Sequence, residues 1–480
     1  MVITQIMHRT TPSTLKTLAP TAATPSPGLP PPSPHGRGSN NLQFTLPSPP
    51  SGEEDEGLIS LHGVRGIASV VHNLGIKRHY SCSMLCLLFS FVSVPHGLTQ
   101  SADPYQKTLQ QAMATMYALD YDRAAQEFEQ TVKIQPQNPR AYLYLATCYW
   151  MKILYLQNKF LSTLFAMPPD PYGPPPNDSY PHELRSKFDE TVRRMKAQSQ
   201  ALINAQPKNA EGHFWLGMAE ATEGAFIISV DRKLLAAKGH ADKSWDWMEQ
   251  AVKLDPKFKD PYFSMGMHMH LLGTRGFFTR VLLKMMGYRV SKEEGRRYVQ
   301  LATDEGRYVK DDARLGLILC YSREGNWNEA IGNIKSVLEK FPQDSLLALA
   351  LGRLQSVSRD ANGAISTYQQ ILQRIDQAHP GYHILSKGEI QLRLALALLA
   401  AGKRQEAQAE AEKAVRDPSA SVVVRAAAHL TLGQARDLLQ NRQGAIAAYQ
   451  AVLALTPVTP SHEKARQFLN RPYDGTVPAG

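Results

Sequence analysis

Two histidines one residue apart, His268 and His270, are the first place where the residue types of this chain suggest chemistry, since imidazole pairs ligate metals. Their spacing argues against it. Positions i and i+2 on a helix point to different faces, so such a pair chelates poorly and reads as packing or surface. The four cysteines, Cys82, Cys86, Cys148 and Cys320, are too few and too scattered for a disulfide framework. Cys148 and Cys320 sit inside apolar helical patterns, where a thiol behaves as a small buried hydrophobe. Gly402-Lys403 lacks the upstream glycine of a phosphate loop and is followed by Arg404. There is no HExxH zinc pattern and no GxSxG nucleophile elbow. Asn177-Asp178-Ser179 is a glycosylation acceptor pattern, with meaning only in a eukaryotic secretory host. No catalytic residue, cofactor or metal ligand is expected, and no small-molecule substrate.

The chain has 480 residues, is 43% hydrophobic and carries a net charge of +10. Residues 102–480 contribute 47 − 39 = +8 of that charge, spread along the length. No RNP, zinc-finger or arginine-rich motif accompanies it, so nucleic acid is not an expected partner.

Residues 1–76 are rich in proline and serine, with a short acidic run at Glu53–Glu56. Such a segment cannot bury enough apolar surface to order itself. It reads as disordered or as an over-extended reading frame. Residues 77–101 differ: Lys77-Arg78-His79 precedes an apolar run from Met84 to Val94, then a small-polar stretch from Gly97 to Ala102. That is the layout of a secretory signal, with cleavage before Ala102, and the run is too short to span a membrane. An exported, periplasmic or envelope-associated protein is the expectation, with a cytoplasmic protein as the alternative.

From residue 102 the pattern turns helical and repetitive. Asp311–Pro342 reads as two short amphipathic helices broken at Gly325-Asn326, with Leu317, Ile318 and Tyr321 on the first and Ala330, Ile334 and Val337 on the second. Ala364 follows Ala330 by 34 residues, and Tyr368 follows Ala364 as Ile334 follows Ala330. Equivalent pairs start near Tyr105, Tyr142, Trp215, Pro261, Leu351, Leu394 and Leu432. Three are interrupted: by Trp150–Pro181, by Phe226–His240 and by Leu271–Val290. The division expected is an interrupted solenoid over 102–310, a regular solenoid and cap over 311–470 with a last helix capped by Ser461, and a disordered tail over 471–480.

A 34-residue helix–turn–helix period with small residues at the close contacts resembles the tetratricopeptide repeat family. Tyr262–Pro342, with its Gly-containing helix, apolar-basic insert and EEGRRYVQLATDEGRYVKDDARLGLILCYSREGNWNEAI, resembles bacterial exported-type tetratricopeptide proteins. It is also similar to a eukaryotic group linked to inclusion clearance at the mitochondrial outer membrane. The resemblance implies an all-α, right-handed superhelical solenoid of about eight repeats with helical insertions and a C-terminal capping helix. It implies a non-enzymatic scaffold that binds other proteins, with an accessory subunit of an enzyme complex as a further alternative.

Stacked first helices line the concave face of such a solenoid. The inward positions include Leu143, Thr147, Phe214, Met218, Phe263, Met267, His270, Leu315, Leu319 and Arg353. The Lys/Asn carboxylate clamp of the chaperone-binding branch is absent there. An apolar groove for a helix or extended peptide is one reading; insertions folding back to fill it is the other. In the insert GFFTRVLLKMMGYRV, Phe277, Phe278 and Met285 share a helical face beside Arg280 and Lys284. Such a helix is expected to pack onto neighbouring repeats with its cations reaching water, and contact with an anionic membrane surface is the alternative.

Overall fold

The computed structural model describes residues 103–167 and 170–476. The signal-like stretch 77–101 and the segment before it lie outside the described residues.

The chain is an all-α solenoid of paired helices: α1 (Pro104–Tyr117) with α2 (Tyr121–Ile134), α3 (Pro139–Leu156) with α5 (His182–Ala205), α6 (Ala210–Phe226) with α7 (Leu234–Leu254), and α8 (Pro261–Gly273) with α10 (Lys292–Glu305). Then come α11 (Lys310–Glu324) with α12 (Trp327–Lys340), α13 (Ser345–Val357) with α14 (Ala361–Asp376), α15 (Lys387–Ala400) with α16 (Arg404–Arg416), and α17 (Val422–Leu438) with α18 (Arg442–Leu453). A single helix, α19 (Pro460–Asn470), closes the array, and two short helices, α4 (Phe160–Phe165) and α9 (Phe277–Met285), lie in insertions.

Local sequence sets these boundaries. Proline occupies the first turn of α1, α3, α8 and α19, where its missing N–H costs nothing. Asp120, Asn138, Asn209, Asp344 and Asp360 accept backbone N–H bonds as N-caps. Gly325 and Gly402 supply the left-handed residue between paired helices at φ +76° and +77°. Within a pair, a glycine admits a large ring from the partner helix. A Cβ on Gly352 would lie 2.5 Å from the Tyr368 ring, and one on Gly433 would lie 2.3 Å from the Tyr449 ring. The two pairs are 81 residues apart, so the same contact recurs two units later.

Three sequence expectations need correction. The break after α6 is only a turn of π-helix, Ile227–Asp231, and residues up to His240 expected in the insertion extend α7 instead. Thr459, not Ser461, caps α19, in a reciprocal capping box with His462. The tail does not loosen at 471: Tyr473 is buried against Phe468, and its N–H donates to Asp437 at 2.9 Å.

The superhelix is tight enough that its first repeat touches its middle. Tyr117 stacks on Phe341 with ring centroids 3.8 Å apart, and the Gln343 amide donates to the Ala114 carbonyl at 3.0 Å. The Tyr144 hydroxyl donates to Asp312 at 3.1 Å. One apolar core therefore runs from Tyr105 to Leu354, across the 310/311 boundary expected from sequence.

Candidate functional site: an occupied inner groove and an exposed apolar helix

The inward-facing positions picked from sequence are mostly covered. Leu143, Phe214, Met218, Met267, His270, Leu319 and Arg353 are buried, while Thr147, Phe263 and Leu315 are partly exposed. The insertion of the second repeat accounts for much of this. Its helix α4 reaches α11, and Ala166 packs on the cluster holding Met267, Leu271 and Leu319. His270 is enclosed between helices, its Nδ1 3.0 Å from the Lys292 carbonyl, while His268 faces Trp245 and Tyr288. The two imidazoles point to different surroundings, as their spacing requires.

Beyond α4 the same insertion reaches the sixth and seventh repeats. The Asp170 carboxylate receives Arg393 Nη2 at 2.5 and 2.6 Å and lies 3.4 Å from Arg353 Nη1. Glu389 also accepts from Arg393, at 2.8 Å. Burial opposes ionisation of Asp170, yet the two guanidiniums hold its carboxyl below the usual range. The Tyr172 ring lies 5.2 Å from the Arg393 guanidinium carbon and packs on the apolar cluster that holds Leu392 and Val424. Arg353 was identifiable from its inward register. Asp170, Tyr172 and Arg393 were not, although an Asp-Pro-Tyr between proline pairs and an arginine inside the apolar run QLRLALALL were visible signals.

The α9 insert behaves differently. It packs only in part: Leu283 is half-buried against α8, and none of the helix's side chains is fully buried. Phe277 is 65% exposed, Phe278 86% and Met285 81%, and Leu235 at the start of α7 is 85% exposed. Lys284 is exposed beside this face and Arg280 is half-buried. Beneath it lies a cavity of about 260 Å³ between α6, α7, α8 and α9, walled by Ile228, Trp245, Met265, Leu272, Leu283 and Met286 among others. Burial pushes the His268 imidazole on its wall down to about 4, so the ring stays neutral, and Lys238 and Asp242 pair at 2.6 Å. The cavity is thus apolar in effect as well as in lining.

Glu220, Glu223 and His240 present ligand atoms within 4.8 Å of one another, the donor set for a cation among the described residues. The Lys196 ammonium fills that position, 2.7 Å from Glu220 and 2.6 Å from Glu223. The two carboxylates keep it charged against the opposing pull of burial. The cluster is a completed ion-pair network joining α5, α6 and α7.

Family models agree with the helix pairs. Residues 109–152 and 392–460 match one family model described as tetratricopeptide repeat, and residues 312–344 match another with the same description. No curated protein matches the sequence at a significant level. Among solved structures, a thermophilic tetratricopeptide protein of Thermus thermophilus is 18% identical, covering 52% of this chain and 98% of its own, with a TM-score of 0.29. The human IFIT1 dimer with PPP-AAAA is 14% identical over 77% of this chain and 87% of its own, at a TM-score of 0.30. Yeast Tom70 is 12% identical over 77% and 89%, at 0.27. Scores this low carry no inference about superhelix or ligand. The three matched stretches fall on the helix pairs α1/α2 and α3, α11/α12, and α15 to α18, each built as the repeat demands, and over these stretches the chain carries tetratricopeptide repeats.

Proposed function

We propose that this scaffold docks a partner protein through the exposed face of α9 and the cavity beneath it, without catalysing a reaction. The observation that carries the reading is the set of large apolar side chains left in water on α9, next to an apolar cavity. Soluble proteins keep contiguous patches of this kind for binding. Burying one Phe or Met side chain contributes about 1.5–3 kcal/mol, so even two or three anchors supply a useful affinity. Arg280 and Lys284 flank the patch, so the fitting occupant is an amphipathic helix with an apolar stripe and an acidic edge. A cavity suits a side chain protruding from such a helix better than it suits a flat surface.

The test is a photo-crosslinking phenylalanine analogue in place of Phe278, activated in cells of the native host, with the adduct identified by mass spectrometry. An apolar, acidic-edged helix of another protein in the adduct supports the reading. No adduct at 278, with efficient crosslinking at an unrelated exposed site, overturns it.

A second reading has its own observation. Arg323 donates to Thr274 at 2.7 Å at the base of α9, and burial together with the neighbouring Arg275 pushes its guanidinium down to about 10. Concentrated positive charge beside exposed Phe and Met side chains also suits an anionic bilayer. Flotation with phosphatidylglycerol vesicles, lost in Phe278→Glu, would favour this reading. Among the described residues no helix is long and apolar enough to cross a membrane. An exported, envelope-associated setting fits both readings and is supported by the basic–apolar–small layout of residues 77–101. Sequencing the mature N-terminus from the native host tests it: a start at Met1 refutes export with cleavage.

A further inference from the structure

We infer that Asp170 and Tyr172 are an internal pseudo-ligand: the inner groove of the sixth and seventh repeats takes an extended peptide bearing a carboxylate with an aromatic side chain two positions later, and this chain's own Asp-Pro-Tyr holds the site until a partner displaces it. The inference goes beyond docking on α9 and does not depend on it.

Arg353 on α13 and Arg393 on α15 are both more than nine-tenths buried, on the helices that line the inside of the solenoid. Arginine so placed is costly to desolvate and is suited to forked recognition of carboxylates. The carboxylate they meet comes from an insertion 223 residues before Arg393, not from a neighbouring repeat. The Tyr172 N–H donates to Asp170 Oδ1 at 3.1 Å, which fixes the spacing between carboxylate and ring. The ring then lies by the same guanidinium and against the apolar cluster that α15, α16 and α17 build.

The segment also has the form of a strap that can lift. It is pinned where Asn177 donates to the Leu156 carbonyl at 3.1 Å, its N–H donates to the Gln157 carbonyl at 3.0 Å, and the Lys159 ammonium pairs with Asp178. At the other end Met167 is buried. Between these anchors Pro171, Pro174, Pro175 and Pro176 are exposed and have no N–H to give to a backbone ladder. Apart from the Asn158 amide, which donates to the Pro175 carbonyl at 3.1 Å next to the Asn177 anchor, the contacts described for the strap are those of Asp170 and Tyr172. A tethered ligand has an effective concentration of about millimolar order, so a free peptide binds the unaltered protein weakly.

The test uses the full chain and a fluorescein-labelled peptide of residues 166–176, AMPPDPYGPPP, read by anisotropy. Asp170→Ala/Tyr172→Ala should bind it at least about tenfold more tightly than the unaltered protein, since a hydrogen bond to a charged group contributes about 1.5–3 kcal/mol. A peptide with Asn in place of its Asp should lose that gain on the same variant, and Phe278→Glu should leave it unchanged. Equal binding by variant and unaltered protein overturns the inference, as does equal binding of the Asp and Asn peptides. Loss of the helical circular-dichroism signal in both the double variant and Asp170→Asn would make the segment part of the core, and overturns it too.

Discussion

Gly295→Ala should weaken the protein at the point that carries α9. The helices α8 and α10 cross at glycines. A Cβ on Gly295 would lie 2.4 Å from the His270 backbone nitrogen, 2.6 Å from the Gly266 carbonyl oxygen and 2.9 Å from the His270 Cα. All three are backbone atoms, so no rotamer change makes room. Ordinary contact begins at 3.4 Å, so the helices must part by 3.4 − 2.4 = 1.0 Å. A gap of that size forfeits roughly a quarter to a half of the dispersion energy across the interface. Overpacking of this kind costs about 1–3 kcal/mol or more, while alanine's better helix propensity returns up to about 1 kcal/mol. The net expectation is a loss of about 1–2 kcal/mol or more, felt mainly at the fourth repeat and its two neighbours because a solenoid couples nearest units. Gly239→Ala is the control. It lies in α7 with nothing within 4 Å of its added Cβ, so it should gain about 0.5–1 kcal/mol. Urea unfolding followed by circular dichroism measures both. A Gly295→Ala midpoint at or above that of the unaltered protein would refute the close-approach reasoning.

Asp344 caps α13 by accepting the Leu347 N–H at 2.8 Å and is 5% exposed, and burial pushes its carboxyl up to about 7. A folded-state pKa raised above the unfolded value gives stability that is full below about pH 4 and lost as pH rises through about 7. Asp344→Asn keeps a good cap without the charge, so it should match the unaltered protein near pH 4 and exceed it near pH 8, by up to about 4 kcal/mol. Thermal melts at the two pH values decide it, and a variant that is less stable near pH 8 sinks the assignment. Cys148 and Cys320 are both fully buried, and burial pushes both thiols up, Cys320 to about 12. Neither should be alkylated by iodoacetamide in native protein near pH 8, and both should be after guanidinium treatment. Peptide mapping showing native modification at either position would contradict their placement.

The helix pairs could be read from the sequence because each makes the same local demand: a capped start, an apolar stripe, a small residue at the crossing, a stop. Gly352 with Tyr368 and Gly433 with Tyr449 repeat one contact, and repetition is what periodicity detects. The insertions carry no period, and their destinations depend on residues far along the chain. The face of α9 has the same amphipathic pattern whether it is buried or exposed, so its exposure follows only from where α8 and α10 leave it. Superhelix curvature is a sum of small rotations between units, and the stacking of Tyr117 on Phe341 that it produces has no local signature.

Arg353 shows what this means for function. Its register marked it as an inward-facing binding residue, and it does face a carboxylate, but the carboxylate is Asp170 of the same chain. Counting inward positions identifies what a groove is lined with; it does not identify what fills it. In an interrupted solenoid the long insertion is itself a ligand of high effective concentration. The groove's chemistry is then best read from the insertion that fits it, and here that insertion presents an acid, a proline and an aromatic ring to two buried arginines.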